Sequence, residues 1–225
     1  MTRRISLSFD NGPTPGITDG VLDVLSDHRV HASFFVIGDN LRSAEGRACA
    51  GRAAAEGHRI GNHTMTHSVL FGTSDNPELP QKEIEAAQAE IAELAHPDRF
   101  FRPFAGGGIL DRRVFNRRVL DHLQRGGYST VLWNSIPHDW DRPEEWVDRA
   151  MADVAAQEWT VAVIHDIDTG AMRHLPAFLR RLDDAGVEIV QEFPDACVPM
   201  HRGELRASLD HLMPLPDRSP EDDRP

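Results

Sequence analysis

The sequence predicts an α/β fold built around a parallel sheet, and three observations support this prediction. Short apolar runs alternate with segments of helical periodicity along most of the chain. Polar residues with chemical potential recur where predicted strands end, the edge at which parallel α/β folds gather their active-site loops. The length of 225 residues and a hydrophobic fraction of 40% suit one domain with a sizeable core.

The first predicted strand covers residues 5–10, where apolar residues alternate with serines. It ends at Asp10 and Asn11, directly before a Gly-Pro turn. Such a pair commonly does no more than shape a turn. The alternative is a chemical role at a strand end.

Further elements follow in alternation. Strands are predicted over residues 32–38, 58–61, 129–134, 160–166 and 187–190, and helices over 17–27, 40–56, 80–95, 113–124, 143–156 and 175–185. In the helix over 80–95, Glu83 and its neighbouring glutamates are expected on a solvated face. We expect one domain over residues 1–198 and a polar, proline-rich tail over 199–225, disordered at its end.

Charge and composition limit the partners. The formal charge of −12 and the lack of a Lys/Arg cluster argue against a nucleic-acid partner. No stretch approaches the roughly 20 apolar residues that span a bilayer, so no membrane partner is expected. The first residues run straight into a strand without an apolar leader, which predicts a cytoplasmic protein. Cys49 and Cys197 lack metal-ligand spacing, and reduced thiols are expected, although pairing and oligomeric state stay open.

Several residues are candidates for chemistry, each with an ordinary alternative. His63 and His67 lie four residues apart and could reach one ion if the segment turns helically, but two surface histidines are equally compatible. No glutamate follows His63, which excludes the H-E-x-x-H protease motif. Arg102 could simply cover two aromatic residues, and His165 could be a structural histidine at the end of a buried strand.

Five segments, in order, resemble the motifs of the polysaccharide deacetylases, the NodB-type carbohydrate esterases. The first motif, usually T-F-D-D-G-P, corresponds to Ser8-Phe9-Asp10-Asn11-Gly12-Pro13, and the second, H-(S/T)-x-x-H, to His63-Thr64-Met65-Thr66-His67. The third, R-P-P-Y-G, corresponds to Arg102-Pro103-Phe104-Ala105-Gly106, and the fourth, D-x-x-D-W, to Ile136-Pro137-His138-Asp139-Trp140. The fifth, L-x-H, corresponds to the strand end at His165. The resemblance spans roughly residues 5–195. It implies a distorted (β/α) barrel of about seven parallel strands, because barrel closure does not follow from the alternation alone.

The resemblance also implies an activity and a role for each site residue. The activity is metal-dependent hydrolysis of a C–N amide bond, with an N-acetylated sugar or oligosaccharide as substrate. The implied ligands of a divalent metal, for which we expect zinc, are His63, His67 and Asn11. The implied catalytic set is Asp10 as general base, Arg102 as the cation that keeps it ionised, His165 as general acid and Asp139 as its orienting carboxylate. The implied substrate contacts are Phe104, Ala105 and Trp140.

Three of the departures from the family pattern bear on the implied site. Asn11 replaces the second aspartate, and its neutral amide oxygen predicts weaker metal binding. Ala105 replaces a tyrosine, and Ile136 replaces the first aspartate of the fourth motif. The altered third and fourth motifs, with the expected cytoplasmic location, keep open a C–N hydrolase of a small non-sugar amide or ureide, as in the allantoinase-like branch. A non-catalytic sugar-binding descendant is the third alternative, which the retained acid–base residues disfavour.

Overall fold

The computed structural model describes residues 2–215, and these form a mixed sheet of nine strands surrounded by helices. The strands are β1 (Arg4–Asp10), β2 (Ser33–Val36), β3 (Arg59–Asn62), β4 (Phe100–Phe101), β5 (Ser129–Thr130), β6 (Trp159–His165), β7 (Glu188–Val190), β8 (Met200–His201) and β9 (Glu204–Leu205). Their order is β6-β1-β2-β3-β4-β5-β8-β9, and β7 also pairs with β1. The pairings among β1–β7 are parallel, whereas β8 runs antiparallel to β5 and β9 antiparallel to β8.

The parallel strands curve into a distorted barrel. Beyond β5, Ser135 forms a parallel bridge to Ala162 of β6, so the two ends of the parallel series meet. The N–H of Val163 donates to the carbonyl of Ser135 at 3.1 Å across this seam. The predicted distorted (β/α) barrel of about seven parallel strands is confirmed.

Helices cover the outside of the barrel. They are α1 (Ile17–His28), α2 (Ala44–Ala55), α3 (Ala86–Ile91), α4 (Arg117–Arg125), α5 (Trp146–Ala156) and α6 (Leu175–Asp184). A π-helical turn, Pro80–Glu85, runs directly into α3. Helix α4 begins four residues later than predicted because the side chain of Asn116 accepts the N–H of Val119 and caps the helix there.

Strand β1 is buried on both faces, and its sequence alternates because one face packs under helices whereas the other faces the interior of the barrel. Ile5, Leu7 and Phe9 belong to the apolar cluster that also contains residues of α1 and α6. On the barrel side, Ser8 donates to the carbonyl of Ala162 at 2.8 Å. The same alternation places Asp10 inside the barrel, at its carboxyl end.

The C-terminal segment corrects the predicted domain boundary at residue 198. Strands β8 and β9 extend the sheet from β5, and Leu209, Leu212 and Met213 are buried. The N–H of Phe115 donates to the carbonyl of Leu212 at 2.9 Å. A few apolar residues thus anchor a segment whose average composition is polar. The tail prediction for residues 216–225 lies outside the described residues.

Two further observations concern the predicted environment. No helix within residues 2–215 is long and apolar enough to cross a membrane. Cys49 and Cys197 are both free and buried.

Candidate active site

The carboxyl ends of the parallel strands surround a cavity of about 260 Å³. Its lining includes eight residues singled out from the sequence: Asp10, Asn11, His63, His67, Phe104, Ala105, Trp140 and His165. The other two, Arg102 and Asp139, are fully buried directly behind the lining. Every residue of the predicted site therefore lies at one end of the barrel.

Asp10 and Arg102 form a buried ion pair. Nη1 of Arg102 donates to Oδ1 of Asp10 and to Oγ of Ser8, both at 2.7 Å, and Nε donates to the carbonyl of Val131 at 3.2 Å. The guanidinium also lies 3.8 Å from the ring centroid of Phe35. Burial lowers the pKa of Arg102, which the charge and hydrogen bond of Asp10 oppose. With Oδ1 held by the arginine, Oδ2 of Asp10 is left for the cavity.

The hydrogen bonding of His63 fixes its tautomer. Nδ1 lies 2.9 Å from the carbonyl of Arg102, which can only accept, so Nδ1 carries the proton. Nε2 therefore has a free lone pair, and it lies 3.4 Å from Oδ2 of Asp10. Burial lowers the pKa of His63 to about 3, so the ring is neutral near pH 7. A lone pair facing a carboxylate oxygen is unfavourable unless a cation or a hydrogen-bond donor lies between them.

His67 reaches the same place without a helix. Thr64 and His67 both have left-handed backbone conformations, with φ of 68° and 52°, so the segment is a turn. The centroids of the His63 and His67 rings are 4.6 Å apart, and that of Phe104 lies 4.4 Å from His67. Burial and the neighbouring His63 lower the pKa of His67 to about 3. The two imidazoles are thus close and neutral, although the helical reasoning for their proximity was wrong.

Glu83 holds this turn in place. Its side chain is buried and accepts hydrogen bonds from the backbone N–H of Thr66 at 3.0 Å and from the Thr66 hydroxyl at 2.8 Å. The predicted solvated position of Glu83 is wrong, because the helix packs this face against the histidine turn.

His165 and Asp139 form a second pair on another side of the cavity. The ring Nδ1–H donates to Oδ1 of Asp139 at 2.9 Å, and the backbone N–H of His165 donates to Oδ2 at 2.8 Å. Burial disfavours a charged ring, but the hydrogen bond and charge of Asp139, with the charge of Asp10, raise the pKa of His165 overall. Trp140 packs edge-on against the imidazole, with ring centroids 5.0 Å apart.

Asn11 offers the third donor for a cation. The residue lines the cavity with a φ of 74°, a conformation that asparagine tolerates better than most residues. The amide Oδ1 is buried and has no hydrogen-bond partner. Buried polar atoms are nearly always paired, so this unpartnered oxygen is available to a ligand.

These donors fit a divalent cation. Two neutral imidazoles and the unpartnered amide of Asn11 belong to residues that line one cavity, next to the carboxylate of Asp10. Within the described residues, no group of three or more His, Cys, Asp or Glu side chains could hold a metal ion. A third protein ligand beside His63 and His67 would therefore have to come from another residue type, and the amide of Asn11 is the candidate.

Sequence reasoning missed part of the cavity wall. Trp133, Val163 and Ile167 line it, and Nε1 of Trp133 donates to the carbonyl of Gly108 at 3.0 Å. Ile136, known from the sequence only as a departure, packs against Gly108, where an added Cβ would lie 3.0 Å from its side chain. Trp133 directly follows apolar residues, and nothing in its local pattern separates it from a core residue.

Comparisons with known proteins agree with this geometry. A family model described as polysaccharide deacetylase matches residues 2–131. The chain is 36% identical to a chitooligosaccharide deacetylase of Rhizobium leguminosarum bv. trifolii over 167 residues, covering 73% of this chain and 72% of that protein. It is 31% identical over 166 residues to a peptidoglycan-N-acetylglucosamine deacetylase of Bacillus cereus, covering 72% of each.

A solved structure extends the likeness. A family 4 acetyl xylan esterase from Clostridium thermocellum, in complex with a cobalt ion, matches with a TM-score of 0.66 and 26% identity, covering 84% of this chain and 87% of that one.

Imidazoles ready for a cation, beside a carboxylate base and an aspartate-bound imidazole, are groups that metal-dependent hydrolases use. The fold and the cavity therefore define a hydrolase of this class. The chain belongs to the polysaccharide deacetylase family, which confirms the resemblance found in its motifs. It is accordingly a deacetylase-type enzyme that acts on C–N amide bonds.

Proposed function

We propose that the protein removes acetyl groups from N-acetylated sugars or oligosaccharides with the help of a bound divalent metal, for which zinc is the candidate. The observation that carries the proposal is the arrangement of two hydrogen-bonded pairs, Asp10–Arg102 and His165–Asp139, around the cavity that His63 and His67 line. Relatives that act on chitooligosaccharides and on peptidoglycan N-acetylglucosamine support a sugar substrate.

His63, His67 and Asn11 would hold the metal. A divalent cation there supplies Lewis-acid activation of a water and of the acyl oxygen, because it can lower the pKa of a water from 15.7 to about 7. Asn11 supplies no negative charge, so we expect weaker binding than with a carboxylate. The roles that follow belong to the side chains of this chain.

Asp10 acts as the general base through Oδ2. Arg102 holds Oδ1 at 2.7 Å and fixes the direction of the carboxylate. Oδ2 faces the cavity, where it takes the proton of the attacking water as the water's oxygen bonds to the acyl carbon.

His165 acts as the general acid through Nε2. Asp139 binds Nδ1–H and so leaves the opposite ring nitrogen toward the cavity. The raised pKa of His165 keeps that nitrogen protonated further up the pH scale. When the C–N bond breaks, its electron pair stays on nitrogen and the proton from Nε2 neutralises the leaving amine, giving acetate and the free amino sugar.

The test is release of acetate by protein freed of metal with EDTA and then given Zn²⁺ or Co²⁺. Substrates are N-acetylglucosamine oligomers and, in parallel, a panel of small amides and ureides. We expect acetate from the sugars only after metal is restored. Asp10→Asn should lower kcat by about 10²–10⁴-fold, as removal of a general base does. Asp98→Asn, outside the cavity lining, is the matched control.

The alternatives give different results. Turnover of small amides alone would replace the sugar with a non-sugar substrate. Binding of sugar without turnover, at any metal, would support a non-catalytic role and overturn the proposal. The cytoplasmic location predicted from the sequence stays a prediction.

A further inference from the structure

Asp166 is a buried carboxyl that the proposed mechanism does not use. It follows His165 directly at the end of β6 and is fully buried. Oδ2 accepts the hydroxyl proton of Thr18 at 2.5 Å, whereas Oδ1 has no hydrogen-bond partner. Thr18 belongs to α1, so the Asp166 side chain lies on the helix-covered outside of the barrel.

Strand geometry shows why this position matters for the cavity. Asp10 and His165 are register partners in β1 and β6, and both line the cavity. Side chains alternate along a strand, so the next residues, Asn11 and Asp166, should both point outward. Asp166 does so. Asn11 departs from this pattern, because its φ of 74° breaks the strand, and the residue lines the cavity.

The Asp166 carboxyl lies against the backbone of the loop that makes this break. A Cβ added to Gly12 would lie 2.1 Å from Oδ2, so only glycine allows the carboxyl to approach this closely. Thr18 extends the contact, because its Oγ1 accepts the backbone N–H of Thr14 at 2.7 Å. The carboxyl therefore supports the Asn11–Thr14 loop at Gly12 directly and at Thr14 through one hydroxyl.

The other side of the same loop is held by the segment after β2. Nδ2 of Asn40 donates to the carbonyl of Asn11 at 2.8 Å, and the N–H of Ile37 donates to the carbonyl of Gly12 at 3.0 Å. These contacts fix the carbonyls of the loop. The carbonyl of Thr14 accepts the backbone N–H groups of Ile17 at 3.0 Å and of Thr18 at 2.8 Å, so the side chains of Asp166 and Thr18 add their contacts at Gly12 and at the N–H of Thr14.

We propose that Asp166 is a positioning residue for the cation site: with Thr18, it holds the Asn11–Thr14 loop so that Asn11 keeps its place in the cavity lining beside His63 and His67, where its unpartnered amide oxygen is available to a cation. The proposal rests on the proposed function, since it assumes that the site takes a divalent cation. A neutral amide binds a cation weakly, so the free-energy cost of ordering its loop would take away a large part of the binding energy. Holding the loop in place before binding therefore matters more for Asn11 than it would for a carboxylate.

The first experiment measures Zn²⁺ affinity of the full chain, without substrate, by competition with a chromogenic chelator. Asp166→Ala should weaken binding by about tenfold or more, the effect typical of residues that orient ligands. Asp166→Asn keeps the shape and can still accept the Thr18 proton, so it should stay within about threefold of the unmodified protein. Thr18→Val removes the hydroxyl that links Asp166 to the loop, and it replaces Asp166→Ala in the experiment if that variant does not fold.

The matched control is Tyr128→Phe, which removes a partly buried hydroxyl outside the cavity lining that donates to Glu85 at 2.9 Å and accepts from Arg99 at 2.7 Å. It should lower Tm without changing Zn²⁺ affinity. Unchanged affinity in Asp166→Ala, with a loss of Tm like that of the control, would overturn the proposal.

A second measurement does not depend on the metal or on catalysis. Amide hydrogen exchange of Thr14 in metal-free protein should be faster in Asp166→Ala and Thr18→Val than in Tyr128→Phe. Equal exchange in all three would refute the support of the loop, even if the protein bound no zinc. Failure of sugar deacetylation with faster Thr14 exchange would instead refute only the proposed function.

Discussion

Replacing Arg102 with methionine should destabilise the protein strongly, because it leaves a buried carboxylate without its cation. Arg102 is fully buried, and its side chain makes hydrogen bonds to Asp10, Ser8 and the carbonyl of Val131. Breaking a buried pair by removing one partner costs about 3–5 kcal/mol. Against a total of about 5–15 kcal/mol for a typical domain, that loss is large but leaves a folded protein to measure.

The assay is urea unfolding in EDTA, so that metal binding does not contribute, with the slope m checked for constancy. Asp10→Leu and the double variant Asp10→Leu/Arg102→Met complete a double-mutant cycle, which measures how strongly the two residues depend on each other. Because a buried pair replaced on both sides by apolar residues is often nearly neutral, the double variant should be more stable than the sum of the single losses implies, by several kcal/mol. Arg47→Met, in a partly exposed pair with Glu90, should change stability by less than about 1 kcal/mol.

Two results would refute this reasoning. One is a loss in Arg102→Met no greater than in Arg47→Met. The other is a double variant whose loss equals the sum of the single losses, since that would mean that Asp10 and Arg102 do not depend on each other.

Three further predictions follow from the site and the core. Asn11→Asp should raise the zinc content of protein purified without chelator, measured by plasma emission; unchanged occupancy would contradict the role of position 11. Asp139→Asn removes the charge that raises the pKa of His165, so the alkaline limb of the kcat profile should move to lower pH; an unmoved limb would show that His165 is not the acid. Burial lowers the pKa of His58 to about 4, so the free energy of unfolding should fall as pH drops from about 6.5 toward 4. His58→Asn keeps an acceptor for the Ala32 N–H and should reduce that fall by on the order of 1–2 kcal/mol, measured by urea titration at each pH. An equal fall in the variant would exclude His58 as its cause.

Much of the fold was predictable because local pattern and tertiary environment agree. Strand β1 reads as alternating apolar residues and serines, and the apolar face packs under helices while the serines face the barrel. Helix α1 has the predicted start at Ile17 for the same reason. Barrel closure was predictable only from the family resemblance, because the Ser135–Ala162 bridge joins residues with no common local signal.

The site was predictable where chemistry resides in residue type, and less so where it depends on backbone conformation. His63 and His67 were found by spacing, yet the turn that joins them needs two left-handed residues that no periodicity reveals. Glu83 looked like one of several exposed helix glutamates, and its partner, Thr66, lies 17 residues earlier in sequence. The anchoring of Leu212 beneath a polar segment also depends on a distant contact, with Phe115.

The pairing of β1 with β6 has a consequence for biosynthesis. Arg4 through Asp10 find their partners in Trp159 through His165, about 155 residues further along the chain. Contacts between such distant residues form late, because a large loop must close first. A ribosome must therefore expose nearly the whole barrel before Asp10 can meet His165, so a growing or prematurely ended polypeptide has no assembled catalytic centre.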